Sequence, residues 1–488
     1  ASGERTSSGM STGFSLFSYF GKVNYDYAGK YLASFTIRRD GSSRFGTQNR
    51  FAVFPAISAG WRISEEDFLK DSKLISNLKL RAAWGKTGNQ DILNDARFGL
   101  YQAVYAPASN VLPWDGGCAQ TPCPDAATSY DIGNNDSGIL PSGFLATQTG
   151  NDKLRWETTT ETNLGLDFGL LNDKLTGSLE IFDRNTDDIL VKPKQIGAFG
   201  DGASQWVNGA SMETKGWELS LNYIPHAKGE IEYSIGTVLS HYNSIITGLP
   251  ENLLASFAGN AEQNIVGHAP NALFGYHTDG IFQNQAEVDA HVAQVGKRVG
   301  ALRYVDLNND GTINDLDQEY AEGNGVPKVE FGVNFQMEWK NFDVSLFTWG
   351  ALGRKVTPDV YRMELGSLDN GENGGVAQLD AWTPTNTGSY IPAASNSNRP
   401  FGFSLDYNVR NGNYLAFRQV MLGYTFPKSN LGSNMSNLRI YISGENLGWI
   451  VDRKGSNQYP QTGWSIENRV GGIYPKPQRF SVGVSAGF

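Results

Sequence analysis

Asp306 to Asp317 reads D-L-N-N-D-G-T-I-N-D-L-D, and the spacing of its oxygens is that of a calcium-binding loop. Asp306, Asn308, Asp310, the Thr312 carbonyl, Asn314 and Asp317 fall at positions 1, 3, 5, 7, 9 and 12 of such a loop. Gly311 supplies the sharp turn at position 6, and Ile313 is an apolar anchor two residues on. Calcium takes about six to eight oxygens; three carboxylates, two amides and a carbonyl provide them. Asp317 stands where a glutamate is usual, so its carboxylate reaches less far, and the flanks are not helical. The competing reading of the same residues is a solvated Asn/Asp/Gly turn. Elsewhere, Cys118 and Cys123 form a C-x4-C pair in a proline-bearing stretch, which predicts a small disulfide in a compartment that permits oxidation. Two free thiols are the alternative. Neither histidine nor a further cysteine lies nearby to make a metal site.

Other chemistry is thinly represented. The histidines at 226, 241, 268, 277 and 291 are scattered, with no metal-ligand spacing such as H-E-x-x-H. Acidic pairs such as Glu65–Glu66 and Asp187–Asp188 fall at turns or strand ends, where a solvated face is the plainer reading. Gly371 to Gly375 lacks the strand and helix that would turn it into a phosphate cradle. The expectation is a protein without a catalytic set. A net charge of −10 with no basic stripe argues against a nucleic-acid partner.

The elements that would carry such loops are strands. Val329, Phe331, Val333, Phe335, Met337 and Trp339 are apolar, while Glu330, Gly332, Asn334, Gln336 and Glu338 between them are polar or small. Successive strand side chains point to opposite faces, so one face here is greasy and the other wet. The pattern recurs along all 488 residues and ends on Phe488. Mean hydropathy is −0.36, and no run of about 18 apolar residues exists, which excludes helical spans. Alternation, 12% aromatics and 57 glycines together predict an all-β fold, a transmembrane antiparallel β-barrel of the outer-membrane type.

The connections sort into two alternating sets. Residues 28–30, 64–77, 169–173, 224–229, 340–341 and 427–437 make short turns; 40–50, 85–154, 190–213, 245–328, 351–412 and 449–478 make long loops. Short turns belong in the periplasm and long loops outside. Thirteen spanning strands result, with the first and last both running inward. Such a sheet cannot close on itself antiparallel, so an odd number of further strands is expected from elsewhere. Residues 1–13 read as extracellular loop, and residues 14–488 as the C-terminal part of the barrel.

Several motifs resemble one family. R-R-D-G-S-S-R-F-G (Arg38–Gly46), L-K-L-R-A-A-W-G-K-T-G-N-Q (Leu78–Gln90), L-R-W-E-T-T-T-E-T-N-L-G-L-D (Leu154–Asp167), F-G-Y-H-T-D-G-I-F-Q-N (Phe274–Asn284), L-G-Y-T-F-P-K-S (Leu422–Ser429) and R-F-S-V-G-V-S-A-G-F (Arg479–Phe488) are similar, in this order, to the SusC/RagA family of TonB-dependent transporters. The resemblance implies about 22 strands around a plug, of which these would be the last thirteen; nothing in this sequence matches the plug or the segment that grips TonB. It further implies multi-pass residence in the outer membrane of a Bacteroidetes-like Gram-negative bacterium. The implied activity is active import of an oligosaccharide or peptide. A SusD-like surface lipoprotein is the implied lid, and TonB acts through the absent plug. A barrel that only scaffolds surface lipoproteins is the rival reading. Trp61, Trp84, Trp156, Trp339, Trp349, Tyr223 and Tyr424 near strand ends suggest an aromatic girdle at the bilayer surface. Trp114, Trp206, Trp382 and Trp464 in long loops are candidates for partner or substrate contact.

Overall fold

The computed structural model describes residues 12–104, 143–193, 204–225, 230–254, 264–356, 376–394, 405–432, 435–451 and 477–488. Thirteen wall strands form one sheet: β1 (Leu16–Tyr27), β2 (Tyr31–Ser42), β3 (Phe51–Arg62), β4 (Ile75–Asn89), β5 (Glu157–Leu170), β6 (Leu175–Val191), β7 (Val207–Tyr223), β8 (Ile231–Gly248), β9 (Val329–Trp339), β10 (Phe342–Leu352), β11 (Tyr414–Thr425), β12 (Asn437–Val451) and β13 (Arg479–Gly487). Consecutive wall strands pair antiparallel throughout. The thirteen expected strands are all present. Among the described residues, the outer edges of β1 and β13 have no strand partner.

Register explains why the alternation persists. Tyr27, Tyr31, Trp61, Leu80, Leu166, Leu179, Leu219, Leu239, Phe331 and Gly350 stand opposite one another in turn across β1 to β10. The adjacent row is Asp26, Leu32, Gly60, Arg81, Gly165, Glu180, Glu218, Ser240, Glu330 and Ala351. A one-residue slip in any strand would move charge onto the apolar face. Asn24, Ser34, Ser58, Lys79, Arg81 and Asn163 line a groove, which identifies the polar face as the concave one. On the other face Val23 is 66% exposed and Ile57 54%. At about 25 cal/mol per Å², so continuous an apolar surface requires an apolar solvent. Among the described residues no helix is long and apolar enough to cross a membrane; the crossing elements are strands.

The concave face is held by ion pairs that step over glycines. Arg81 on β4 grips Asp167 on β5 through two bonds, at 2.9 and 2.8 Å, and reaches Glu180 on β6 at 2.8 Å. Gly165, between them on β5, leaves the room: a Cβ there would lie 2.9 Å from the Arg81 guanidinium carbon. Asp343 on β10 and Arg439 on β12 pair at 2.9 and 2.5 Å across β11, and a Cβ on Gly423 would collide with both. Phe182 over Gly216 and Tyr441 over Gly483 repeat the arrangement with rings on this face, and Phe331 over Gly350 does so on the apolar face.

Strands run further at the loop end than the alternation predicts. β7 begins at Val207, where loop to residue 213 was expected, and β4 continues to Asn89. A bulge between Thr186 and Ile189, with Asp188 at φ 60°, carries β6 past the membrane zone. Above the bilayer both faces meet water, so alternation stops being required. At the short-turn end, aromatic rings pack along the rim: Tyr27 with Tyr31 at 6.4 Å, Tyr223 with Tyr233 at 6.3 Å, and Phe342 with Tyr424 at 4.8 Å. Two expected girdle members differ. Trp156 is only 5% exposed, inside a loop core, and Trp349 stands opposite Gly332 on the concave face.

Glu66, just beyond the 3-10 turn Ile63–Glu65, anchors this rim. It accepts from the Tyr31 hydroxyl at 2.6 Å, the Trp61 indole at 3.0 Å and Lys30 at 3.3 Å. The Tyr31 bond first, then that of Trp61, hold its carboxyl below the ordinary carboxylate range. A carboxyl lowered on folding contributes stability above its unfolded value and loses it as pH falls through the folded one. Replacing Glu66 with alanine should therefore lower the melting temperature of the folded barrel at pH about 7, and the difference should shrink at acid pH as the carboxyl protonates. Heat-modified gel mobility at both pH values checks this.

Candidate functional site

The long loops are folded bodies standing on the wall. In one, Ala272–Tyr276 pairs with Gln318–Asn324, and Thr278–Ile281 with Leu302–Tyr304. A short helix, Gln285–Ala290, follows, started by Asn284, whose side chain accepts from the Glu287 N–H at 3.0 Å. Its apolar core joins Tyr276, Ile281, Leu302, Tyr304 and Ile313 to Ala381, Trp382 and Ile391. The first five belong to the β8–β9 loop and the last three to the β10–β11 loop. Two loops separated by a hairpin thus share one core. Trp382 closes it: the ring is 6% exposed, and its N–H donates to Gln283 Oε1 at 2.9 Å. Ala393 N–H donates to the Gly300 carbonyl at 2.8 Å, with Gly300 at φ 82°.

A second core, Phe45, Phe54, Ile92, Ala96, Leu154 and Trp156, with Trp206 against it, gathers the loops above β2 to β7. The Trp156 indole donates to the Arg50 carbonyl at 3.0 Å. Gln148, 2% exposed, is the polar hub. Its Nε2 donates to the carbonyls of Asp95 at 3.0 Å and Phe98 at 3.0 Å, and its Oε1 accepts from Lys192 at 3.0 Å. Arg155 and Asp188 pair through both guanidinium arms. Nothing in the sequence singled out Gln148 or Gln283, because a lone glutamine in a loop carries no spacing signal.

The candidate ligand residues meet in part. Asp306 Oδ2 accepts from Gly311 N–H at 2.9 Å, joining positions 1 and 6, and Gly311 turns at φ 84°. Asn308 and Asn314 amides both reach Asp310 Oδ2, at 3.0 and 3.1 Å, and Asn314 also touches the Thr312 carbonyl at 3.2 Å. The Asn308 amide first, then the Thr312 N–H, hold the Asp310 carboxyl below the ordinary range. Asp317 lies apart. Fully buried, it accepts from the Leu307 and Asn314 N–H groups at 2.9 and 2.8 Å. Among the described residues, no three acidic or histidine side chains converge as a metal cluster. Ile313 anchors the loop: its N–H donates to the Ala293 carbonyl at 2.8 Å and its side chain enters the shared core. Beneath, the Tyr276 hydroxyl bonds Asp315 at 2.9 Å, and burial first, then that bond, pushes it up to about 12. Cys118, Cys123, Trp114 and Trp464 lie outside the described residues.

Of the loop tryptophans expected to meet a partner, Trp206 packs against one core and Trp382 is buried in the other. Both are structural. Replacing Trp382 with alanine should destabilise the shared loop body by about 3–5 kcal/mol while the wall keeps its heat resistance. Protease cutting at residues 264–328 and 376–394, against an unchanged barrel band, is the readout.

A family model described as TonB dependent receptor-like, beta-barrel, matches residues 2–447. The TonB-dependent receptor SusC of Bacteroides thetaiotaomicron is 30% identical over 487 residues, 99% of this chain and 45% of the relative. TonB-dependent receptor P3 of Formosa agariphila is 29% identical over 97% of this chain and 45% of its own length. The RagAB peptide importer in its open-open state shares the fold, with a TM-score of 0.73 at 20% identity over 97% of this chain and 47% of that one. The chain spans a little under half the length of these relatives. With a lipid-facing apolar surface, a polar concave wall and folded loops at one end, the chain belongs to the TonB-dependent receptor β-barrel family and resides in the outer membrane.

Proposed function

We propose that this chain is the C-terminal wall of an outer-membrane importer of oligomeric nutrients, glycan or peptide. A SusD-like surface lipoprotein would cover the folded loops, and TonB would act on a plug outside these 488 residues. The observation carrying the reading is the two-faced thirteen-strand sheet, in a chain 30% identical in sequence to SusC along 99% of its length. The edges of β1 and β13 add support, since each backbone group left unpaired in hydrocarbon costs several kcal/mol. Further strands from the same assembly would pair with both edges. Cells carrying the full-length transporter should lose uptake of the oligomer when TonB is deleted or the proton gradient collapsed, while surface binding persists. Uptake indifferent to both would overturn the reading.

We also propose calcium in Asp306–Asp317, held by Asp306, Asp310, Asn308, Asn314 and the Thr312 carbonyl. Asn308 Oδ1 accepts from the Asp310 N–H at 2.9 Å and Asn314 Oδ1 from the Leu316 N–H at 2.8 Å, so ligation by the two amide oxygens would exchange these backbone contacts for the ion. Asp317 would brace the loop through its backbone bonds. Binding only the ordered loop stabilises it by mass action. Protection of residues 302–320 from protease should rise at millimolar calcium, vanish with chelator, and disappear when Asp306 and Asp310 become alanine. Equal protection with calcium and with chelator leaves only the solvated turn.

A further inference from the structure

Arg39 stands on the lipid-facing side of β2 without a counter-ion. Tyr31, Phe35 and Ile37 hold the same face below it, and Tyr19 on β1 and Val53 on β3 are directly opposite. The residue is exposed, and its guanidinium carbon lies 4.9 Å from the centre of the Phe51 ring. That contact draws the charge toward β3 and away from the unpaired edge of β1. Among the described residues it has no carboxylate partner.

Its height follows from the strand. Tyr31 marks the short-turn rim, where it bonds Glu66, and Arg39 comes eight residues later along β2. At about 3.3 Å per residue and a tilt of about 40°, that raises it about 20 Å through an apolar band about 25 Å tall. Phe17 and Phe51, both opposite Gly41, occupy the next level. The charge therefore sits just under the outer headgroups, within reach of a long side chain.

Lys86 holds the matching place on the other side of β3. It follows Gly85, which faces Ala56 on β3, and shares the outward side of β4 with Leu80, Ala82 and Trp84. It too has no carboxylate partner among the described residues. Its neighbours on β5, Thr158, Thr160 and Thr162, carry no charge. Lys215, on the same face of β7, differs: Glu213 answers it at 2.6 Å and Asp183 at 3.6 Å. Acids thus accompany one outward cation and are missing at the two that flank β3. Just below those two, Phe35, Ile57 and Trp84 stand in register across three strands.

We propose that Arg39 and Lys86 bracket the phosphate of a lipid in the outer leaflet, whose chains lie on Phe35, Ile57 and Trp84. A guanidinium grips phosphate through paired N–H bonds, and a cation at the edge of hydrocarbon is costly until it is paired. The site would hold β2 to β4 at a set depth. It rests on residence in the outer membrane and not on what the barrel imports.

Binding of lipid A to the full-length transporter, followed by native mass spectrometry from detergent, tests the site. Lipid A carrying its phosphates should bind, and the same lipid stripped of them should bind at least about tenfold more weakly. A chain of net charge −10 offers anionic lipid no general attraction. R39Q and K86Q should each weaken the phosphorylated lipid about fivefold, the scale of one basic residue at a membrane surface. R39K, which keeps the charge, should lose less, and K215Q should bind as wild type does. Inorganic phosphate in excess should not displace the lipid, because it lacks the chains. Equal binding of the two lipids, full binding by the R39Q/K86Q double variant, an equal loss in K215Q, or displacement by free phosphate would overturn the proposal. Folding of each variant is read from heat-modified gel mobility; where one fails to fold, the wild-type comparison of the two lipids decides.

Discussion

Every backbone N–H and C=O that crosses hydrocarbon must be bonded within the protein, since lipid offers no partner. In this chain the obligation is met by antiparallel pairing between consecutive strands, and that pairing dictates nearly everything else. It fixes register, register fixes which residues face lipid, and the lipid face then tolerates no charge at its middle. The concave wall inherits the remaining residues, among them Arg81, Asp167, Glu180, Asp343 and Arg439; Arg81–Asp167 ties neighbouring strands, while Arg81–Glu180 and Asp343–Arg439 each reach across an intervening one.

Outside the bilayer the rule relaxes, and a different one takes over. Loops of this length would stay disordered unless they buried enough apolar surface to offset their entropy. They do so by pooling. The β8–β9 loop and the β10–β11 loop each supply part of one core, and the loops above β2 to β7 supply another. Strands that continue past the membrane, such as β4 to Asn89 and β7 from Val207, give these cores a stiff base. The mouth is thus built of shaped bodies able to hold fixed polar groups toward a ligand or a lid.

How much of this the sequence discloses depends on whether a physical period operates. Lipid on one side and a polar lumen on the other impose period two, so Val329–Trp339 is found to the residue and the whole strand order is legible. At the upper ends the period lapses, and Val207 to Glu213 reads as loop although it pairs with β6 and β8. Tryptophan near a strand end is ambiguous for a related reason: an indole suits the bilayer surface and a loop core equally, and Trp156 and Trp349 went to the interior-facing sides. The contact of Trp382 with Gln283 joins segments with no common spacing, so only the folded chain reveals it. The Asp306–Asp317 loop was visible because its turn depends on closely spaced Asp, Asn and Gly. The backbone-bracing position of Asp317, set by its fully buried side chain, was not visible.

The glycines under the concave ion pairs have a consequence for how such a wall can change over generations. Gly165 is compatible with Arg81 reaching Glu180, and Gly423 with Arg439 reaching Asp343, only while each stays without a side chain. A larger residue at either position is admissible only after the overlying pair has been shortened or lost, and a new overlying pair elsewhere requires a glycine to appear first. Ancestry therefore moves through these triplets in a set order. A related wall with a larger residue at position 165 should therefore lack the Arg81–Glu180 pair, whereas glycine there is compatible with either state.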